Sequence, residues 1–171
     1  MVGEATPADL DAIVALHTEA RATYYRDHRP AEEYEGAAEL ARSREGWAGA
    51  VGRPGATVLC AEAGDELVGV AAFAEREGSV YLSQLHVAPA RWRSGVGAAL
   101  HAACLDAWQR AGFRTARLEV FEHNARARSF YARHGWAPDP DRPRDGTHLL
   151  LRLDVPVAGI PRPPSAFARE T

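Results

Sequence analysis

Apolar residues recur at helical spacing near both ends of the chain and alternate in shorter runs between. Leu10, Ile13, Val14 and Leu16 stand three and four apart, the spacing that turns one helix face toward a core. Before them come Thr6, Pro7 and Asp9. An N-cap threonine, a proline at the first helical position and an acid three residues on form a capping box with Asp in place of Glu. Residues 7–25 are therefore predicted as a helix. Residues 31–50 read as a second, weakly amphipathic helix, acidic early (Glu32, Glu33, Glu35, Glu39) and ended by Gly52, Pro54 and Gly55.

The period then changes. Residues 57–61 and 67–74 are predicted strands joined by Gly64-Asp65, and 80–87 is a third strand after the turn signal Glu77-Gly78. Residues 96–111 give the clearest amphipathic helix. Val96, Leu100, Cys104 and Trp108 lie on one side, His101, Asp106, Gln109 and Arg110 on the other, and Gly112 closes the helix. A strand at 115–121, a helix at 125–134 closed by Gly135 and a strand at 148–153 complete the core. Helices alternate with strands around a central hairpin section, so the fold class is a mixed α/β sheet flanked by helices in one domain, residues 1–154. Residues 155–171, with Pro156, Pro161, Pro163 and Pro164, read as an extended tail.

Composition narrows the classes. With 171 residues one domain is the default, and 46% hydrophobic content excludes wholesale disorder. A net charge of −3 argues against a general nucleic-acid binder. No apolar run approaches the roughly 18 residues of a membrane span, and the acidic start MVGEATPADL is no secretory signal. The expected location is the cytoplasm, with Cys60 and Cys104 as buried thiols. All 20 basic residues are Arg, Ala fills 34 positions, and Asn124 is the single Asn. That usage follows GC-rich codons, so an arginine carries little information by being present and Asn124 carries more.

Two segments carry chemistry. In the first, the strand Tyr81–Val87 runs through Pro89, Arg91, Trp92, Arg93, Ser94, Gly95, Val96 and Gly97 into the amphipathic helix. Glycines at a helix mouth let backbone approach a ligand, and the free N–H groups and dipole there favour an anion. Arg91 and Arg93 add charge beside it. A tight βα connection would use the same glycines. No Lys-Ser/Thr pair follows, which excludes a Walker loop, and the third glycine and ribose-binding acid of a dinucleotide fingerprint are missing. In the second segment Asn124 opens a helix as a favoured N-cap, and Tyr131 stands two turns on, nearly on the same face. Tyr131 and its neighbour Phe130 would serve equally as core aromatics.

Together, Pro89–Gly97 with its helix and the run Asn-x-x-Ala-x-x-Phe-Tyr-x-x-x-Gly-Trp at Asn124–Trp136 resemble the GNAT N-acetyltransferase superfamily. The resemblance covers residues 5–153, including the order of elements. The family's loop is usually Gln/Arg-x-x-Gly-x-Gly/Ala, and this chain departs from it with Trp92 in the first position.

The resemblance implies a mostly antiparallel central sheet in which two strands, 80–87 and 115–121, splay to admit acetyl-CoA. It implies no metal. Implied cofactor contacts are Leu85, His86 and Val87 on the strand, then Trp92, Arg93, Ser94, Gly95, Val96, Gly97 and Ala98, and finally Asn124, Ser129 and Tyr131. Tyr131 would be the general acid for the departing thiolate. The base stays open among Glu119, Ser83, Tyr81, Glu122, Gln84 and His86. The acceptor side holds Tyr24, Tyr25, Glu32, Glu33, Tyr34, Trp47, Asp139, Asp141 and Asp145. Acidic and aromatic groups there suit a small-molecule amine, ahead of a protein N-terminus or lysine. A silent acyl-CoA-binding module is the competing reading, and a homodimer is open because many relatives dimerise.

Overall fold

Strand pairing, in a computed structural model that describes residues 1–157, follows the predicted alternation and extends it. The strands β1 (Val2–Glu4), β2 (Ala56–Ala63), β3 (Glu66–Arg76), β4 (Ser79–Val87), β5 (Thr115–Phe121), β6 (Ala137–Pro138), β7 (Arg144–Asp145) and β8 (His148–Asp154) make one open sheet. Its order is β1-β2-β3-β4-β5-β8-β6, with β7 also on β8. All neighbours are antiparallel except β4 and β5. Three short strands escape the pattern: β1 at the edge, and β6 and β7, two residues each, too short to show a period. Of the extended tail expected at 155–171, residues 158–171 lie outside the described residues, and Val155 is buried in the core and so belongs to the domain.

Helices cover both faces. α1 (Leu10–Tyr25) and α3 (Ala37–Ala50) lie on one, where Ile13, Leu16 and Trp47 meet Val58, Cys60, Val70 and Ala72. α4 (Val96–Arg110) and α5 (Ala125–Arg133) lie on the other, where Leu100, Cys104, Trp108 and Tyr131 meet Val68, Phe73, Leu82 and Leu118. Cys60 and Cys104 thus sit in different clusters on opposite faces, both free.

Two helical predictions need correction. The first turn after Thr6 is a 3-10 turn, Pro7–Asp9, before α1 begins. The Asp9 carboxylate accepts the Thr6 N–H at 2.7 Å, as the capping reading requires. The stretch 31–50 is not one helix. A single turn, α2 (Glu32–Glu35), stops at Gly36, whose backbone is extended (φ −67, ψ 157), and α3 starts afresh. A Cβ at Gly36 would lie 2.5 Å from the Glu32 carbonyl oxygen, so the sharp redirection is open to glycine and closed to other residues. It lets Tyr34 drop into a small third cluster with Ala22, Tyr25 and Phe121.

Close approach of α4 to the sheet depends on another glycine. A Cβ at Gly69 on β3 would stand 2.8 Å from Leu100 Cδ1 and 2.9 Å from Val96 Cγ1. Gly69→Ala is expected to cost about 1–3 kcal/mol through overpacking. Gly3→Ala, where a Cβ meets nothing within 4 Å, should stay within about 0.5 kcal/mol. Denaturant titration of the two variants compares them directly.

α1 and α3 are joined by a buried polar contact. The Trp47 indole N–H donates to His17 Nδ1 at 3.1 Å, and Ser43 Oγ lies 2.9 Å from the same nitrogen. Burial, and then the Arg21 charge, lower the His17 pKa from 6.5 to about 4, with Glu39 opposing. The unfolded chain therefore binds a proton that the native state refuses. Stability held above pH 6.5 is expected to fall as pH drops from about 6.5 to about 4, by on the order of 2–3 kcal/mol. Denaturation midpoints between pH 7 and pH 4 test this. His17→Gln, which keeps an acceptor for Trp47, should flatten the decline.

Candidate active site

The sheet opens where its one parallel pair ends. β4 and β5 pair at Val80↔Ala116 and Tyr81↔Arg117 and nowhere further. Just beyond, Ser83 is an extra residue in β4, because Ala72 pairs with Gln84 while Phe73 pairs with Leu82. Such a bulge bends its strand and increases its twist. The Ser83 hydroxyl donates to the Ala72 carbonyl at 3.1 Å across the irregularity. The bulge also changes the phase of the strand. Val80 and Leu82 lie in the α4-side core, and so do Leu85 and Val87 after it. Gln84 and His86 consequently face α1, where the His86 ring centroid is 4.7 Å from that of His17. A strand without a bulge would have placed Tyr81, Ser83, Leu85 and Val87 together. No local sequence signal marks the extra residue.

Through this opening runs a cavity of about 930 Å³ that reaches from the α4–α5 side to the α1–α3 side. On the edge of β4 away from β3, residues 82–87 have no strand partner, which leaves backbone groups turned to the opening. Backbone polar groups in such a place need partners, and an extended ligand bearing amides supplies them as an added strand would.

At one end the chain between β4 and α4 curls tightly. Arg93 and Gly95 both take left-handed backbone, with φ of 65 and 89. Left-handed residues in a loop bring successive N–H groups to one concave side. The first N–H in this region to reach a helical partner is that of Ala99, on the Gly95 carbonyl, so those of Val96, Gly97 and Ala98 remain open at the helix mouth. Gly97 keeps the wall close, since a Cβ there would lie 3.3 Å from Phe130 Cε2. These features fit a phosphate-bearing ligand of the kind the sequence implied.

Among the residues expected at the site, Ser83, Leu85, His86, Val87, Trp92, Arg93, Gly95, Gly97, Ala98, Glu119, Asn124 and Tyr131 line the cavity. Val96 instead packs against the core. Ser94 turns its hydroxyl to the Arg91 carbonyl at 2.6 Å, and exposed Ser129 accepts from Arg133 at 2.7 Å. Arg91 also lines the cavity and forms an ion pair with Glu66 at 2.6 Å. Asn124 acts as the N-cap of α5, its side-chain oxygen accepting the Ala127 N–H at 3.1 Å.

Tyr131 is nearly buried, at 7% exposure, beside Phe130 and Trp136. Desolvation, with smaller contributions from Cys104 and Tyr24, raises its pKa, so the phenol is held protonated. Cys104 on the same face shows what this environment does to sulfur, for burial pushes its thiol up to about 12. Across the opening, Glu119 accepts a 2.6 Å hydrogen bond from the Tyr81 hydroxyl. Glu119 and Glu39 are the carboxylates of the cavity wall among the described residues. Glu39 is bonded to Arg21 at 2.5 Å and Arg42 at 2.7 Å, and the Arg21 bond first of all holds its carboxyl below the usual range.

The acidic acceptor lining expected from the sequence is not assembled. Glu32, Glu33, Asp139, Asp141 and Asp145 stand outside the cavity wall. Asp139 is a buried structural acid: burial alone would raise its pKa, yet bonds from Arg117 Nε at 2.9 Å and the Asp141 N–H at 3.0 Å bring it below normal. Asp145 pairs with Arg142 at 2.5 Å. Of the aromatic residues expected there, Tyr24, Tyr25 and Trp47 line the cavity, while Tyr34 is buried beside Phe121. Conversely, sequence reasoning passed over Arg126, which lines the cavity and stacks on Trp92. No metal-binding group of three or more His, Cys, Asp or Glu occurs among the described residues, and no described helix is long and apolar enough to cross a membrane.

Comparison with known proteins agrees with this geometry. Among solved structures, the PaiA N-acetyltransferase of Thermoplasma acidophilum in complex with coenzyme A superposes with a TM-score of 0.73 at 17% identity, over 90% of this chain and 98% of that one. The ribosomal-protein-S18-alanine N-acetyltransferase of Escherichia coli gives 0.71 at 20% identity, over 93% and 96%. A putative GNAT-family acetyltransferase of Desulfovibrio desulfuricans gives 0.64 at 23%, over 91% and 99%. At such identities the likeness concerns the fold. No curated protein matches the sequence. The model of the acetyltransferase (GNAT) family matches residues 13–136. With this family match and a splayed sheet that opens beside a phosphate-type loop, the chain belongs to the GNAT acetyltransferase family.

Proposed function

We propose that the protein transfers an acetyl group from acetyl-CoA directly to a primary amine, that of a small molecule. The observation that carries this reading is the single cavity through the β4–β5 opening, with open helix-mouth N–H groups at one end and Tyr131 and Glu119 on its walls. The N–H groups of Val96 to Ala98, with Arg93, suit the diphosphate, and the free edge of β4 suits the amide-bearing arm. Asn124, beyond its capping oxygen, offers an amide N–H to that arm. Acetyl-CoA brings an activated acyl group; the chain supplies position and protons.

Direct transfer forms the N–C bond while the C–S bond breaks. Glu119 receives the proton that the amine gives up, directly or through water. Among the described residues it is the carboxylate of the cavity wall without an arginine partner, and this favours it over Ser83, Tyr81, Gln84 and His86. Ser83 is committed to the Ala72 carbonyl, Tyr81 donates to Glu119, and His86 Nε2 is 2.6 Å from Gln84 Oε1. Burial above all, then the nearby His17, Arg21 and Arg126 charges, lower the His86 pKa well below its ordinary value. Tyr131 is the matching donor for the departing thiolate. A thiolate in that apolar surrounding is poorly solvated, which increases the gain from one O–H donor.

Thiol release with a panel of small amines and alanine-starting peptides tests the reading. Release with small amines supports it, release with peptides alone moves the acceptor to protein N-termini, and tight binding without release from any acceptor makes the protein a silent binder. Tyr131→Phe is expected to cut turnover about 10²–10⁴-fold with acetyl-CoA binding retained. Glu119→Gln should lower kcat/KM most at neutral pH and less as rising pH supplies neutral amine from solution.

A further inference from the structure

Arg126 occupies the first turn of α5, two residues after Asn124. Its guanidinium carbon lies 3.3 Å from the centroid of the Trp92 ring, and its Nη2 lies 3.4 Å from Thr23 Oγ1 on α1. It therefore spans three elements at the cavity wall: the loop before α4, the start of α5 and the end of α1. No carboxylate pairs with it among the described residues, whereas three other arginines of the cavity wall are answered: Arg91 by Glu66, Arg21 and Arg42 by Glu39. Partial desolvation lowers its pKa, with Tyr24 acting the other way. The platform beneath it is fixed, because the Trp92 indole N–H donates to the Val87 carbonyl at 3.0 Å. Stacking on an indole face holds a guanidinium flat while leaving its edge N–H groups free to bind. An exposed but stacked guanidinium that faces a cavity and has no carboxylate partner among the described residues suits an anion.

We infer that Arg126, laid on Trp92, is an anion anchor that grips the diphosphate of the cosubstrate in addition to the backbone N–H groups of the loop. The inference rests on the acetyl-CoA reading above. It also gives Trp92 a role: at the one loop position where the family usually has Arg or Gln this chain has Trp92, and α5 lays a guanidinium over it. The unpaired state in the free protein keeps the anchor available, since an internal carboxylate would have to be displaced at every binding event.

Equilibrium titration with three probes tests this: CoA, dephospho-CoA, which lacks the 3′-phosphate, and S-acetyl-pantetheine, which lacks all phosphates. Arg126→Gln is expected to raise the Kd of CoA and dephospho-CoA by the same factor, about ten- to hundredfold. S-acetyl-pantetheine binding should not change, and the affinity for CoA should fall less steeply with salt than in the parent. Trp92→Arg added to Arg126→Gln should restore affinity, because it returns a guanidinium to the loop. Thermal melting of each variant checks that the fold persists, and Arg126→Lys, which keeps charge without the flat stack, should fall between parent and Gln variant. Equal CoA affinity in Arg126→Gln and a parent that binds CoA overturns the inference. So does a loss confined to CoA and absent with dephospho-CoA, which would assign the anchor to the 3′-phosphate, or a change only in amine saturation, which would assign it to the acceptor. A parent that binds no CoA at all would instead overturn the acetyl-CoA reading itself.

Discussion

Two residue pairs of parallel bonding, followed by separation, govern the rest of this molecule. Adjacent strands in a sheet ordinarily stay paired because unpaired backbone groups lose hydrogen bonds. Here β4 leaves β5 where Ser83 is inserted, and β3 holds β4 on its other edge throughout. The result is a rigid strand with one satisfied edge and one open edge, set against a cavity. Parting also breaks the sheet as a barrier between its two helical layers, so one cavity is lined from both the α4–α5 side and the α1–α3 side.

Helix placement follows from the same constraint. The mouth of α4 is useful only if it lies close against β3 and β4, and Gly69 permits that distance. The left-handed residues at 93 and 95 then fold the connection back so that its N–H groups face the opening. Tyr131 reaches the opening from α5, whose start is fixed by the Asn124 cap two turns earlier. The two motifs are therefore mechanical as well as chemical: one positions a helix start, the other positions a helix that carries a phenol.

Charge is distributed to match. Two acids expected at the acceptor side are held in ion pairs away from the cavity, Asp139 with Arg117 and Asp145 with Arg142. Within the cavity Glu39 is neutralised by two arginines, while Glu119 receives only a phenol. Arg126 is the converse case, a cation without a carboxylate partner among the described residues.

Much of this was legible in the chain itself. Alternation gave the long strands, capping and glycine signals gave the helices, and the spacing of Gly95, Gly97, Asn124 and Tyr131 marked the loop and the phenol, because these features are set by contacts a few residues apart. Properties that depend on distant partners were out of reach. The bulge at Ser83 arises from pairing with β3 and reverses which residues of β4 face α1. The break at Gly36 follows from the Glu32 carbonyl and the pull of the Tyr34 cluster. Whether Asp139 is a buried structural acid or a ligand-binding one depends on where Arg117 lies, 22 residues earlier. Arg126, one of 20 arginines in a chain whose composition makes arginine uninformative, became distinctive only when the fold laid it on Trp92. Sequence fixes periodicity and local chain direction because those are short-range sterics and hydrogen bonds. Phase, burial and pairing of charge are long-range, and only the tertiary structure decides them.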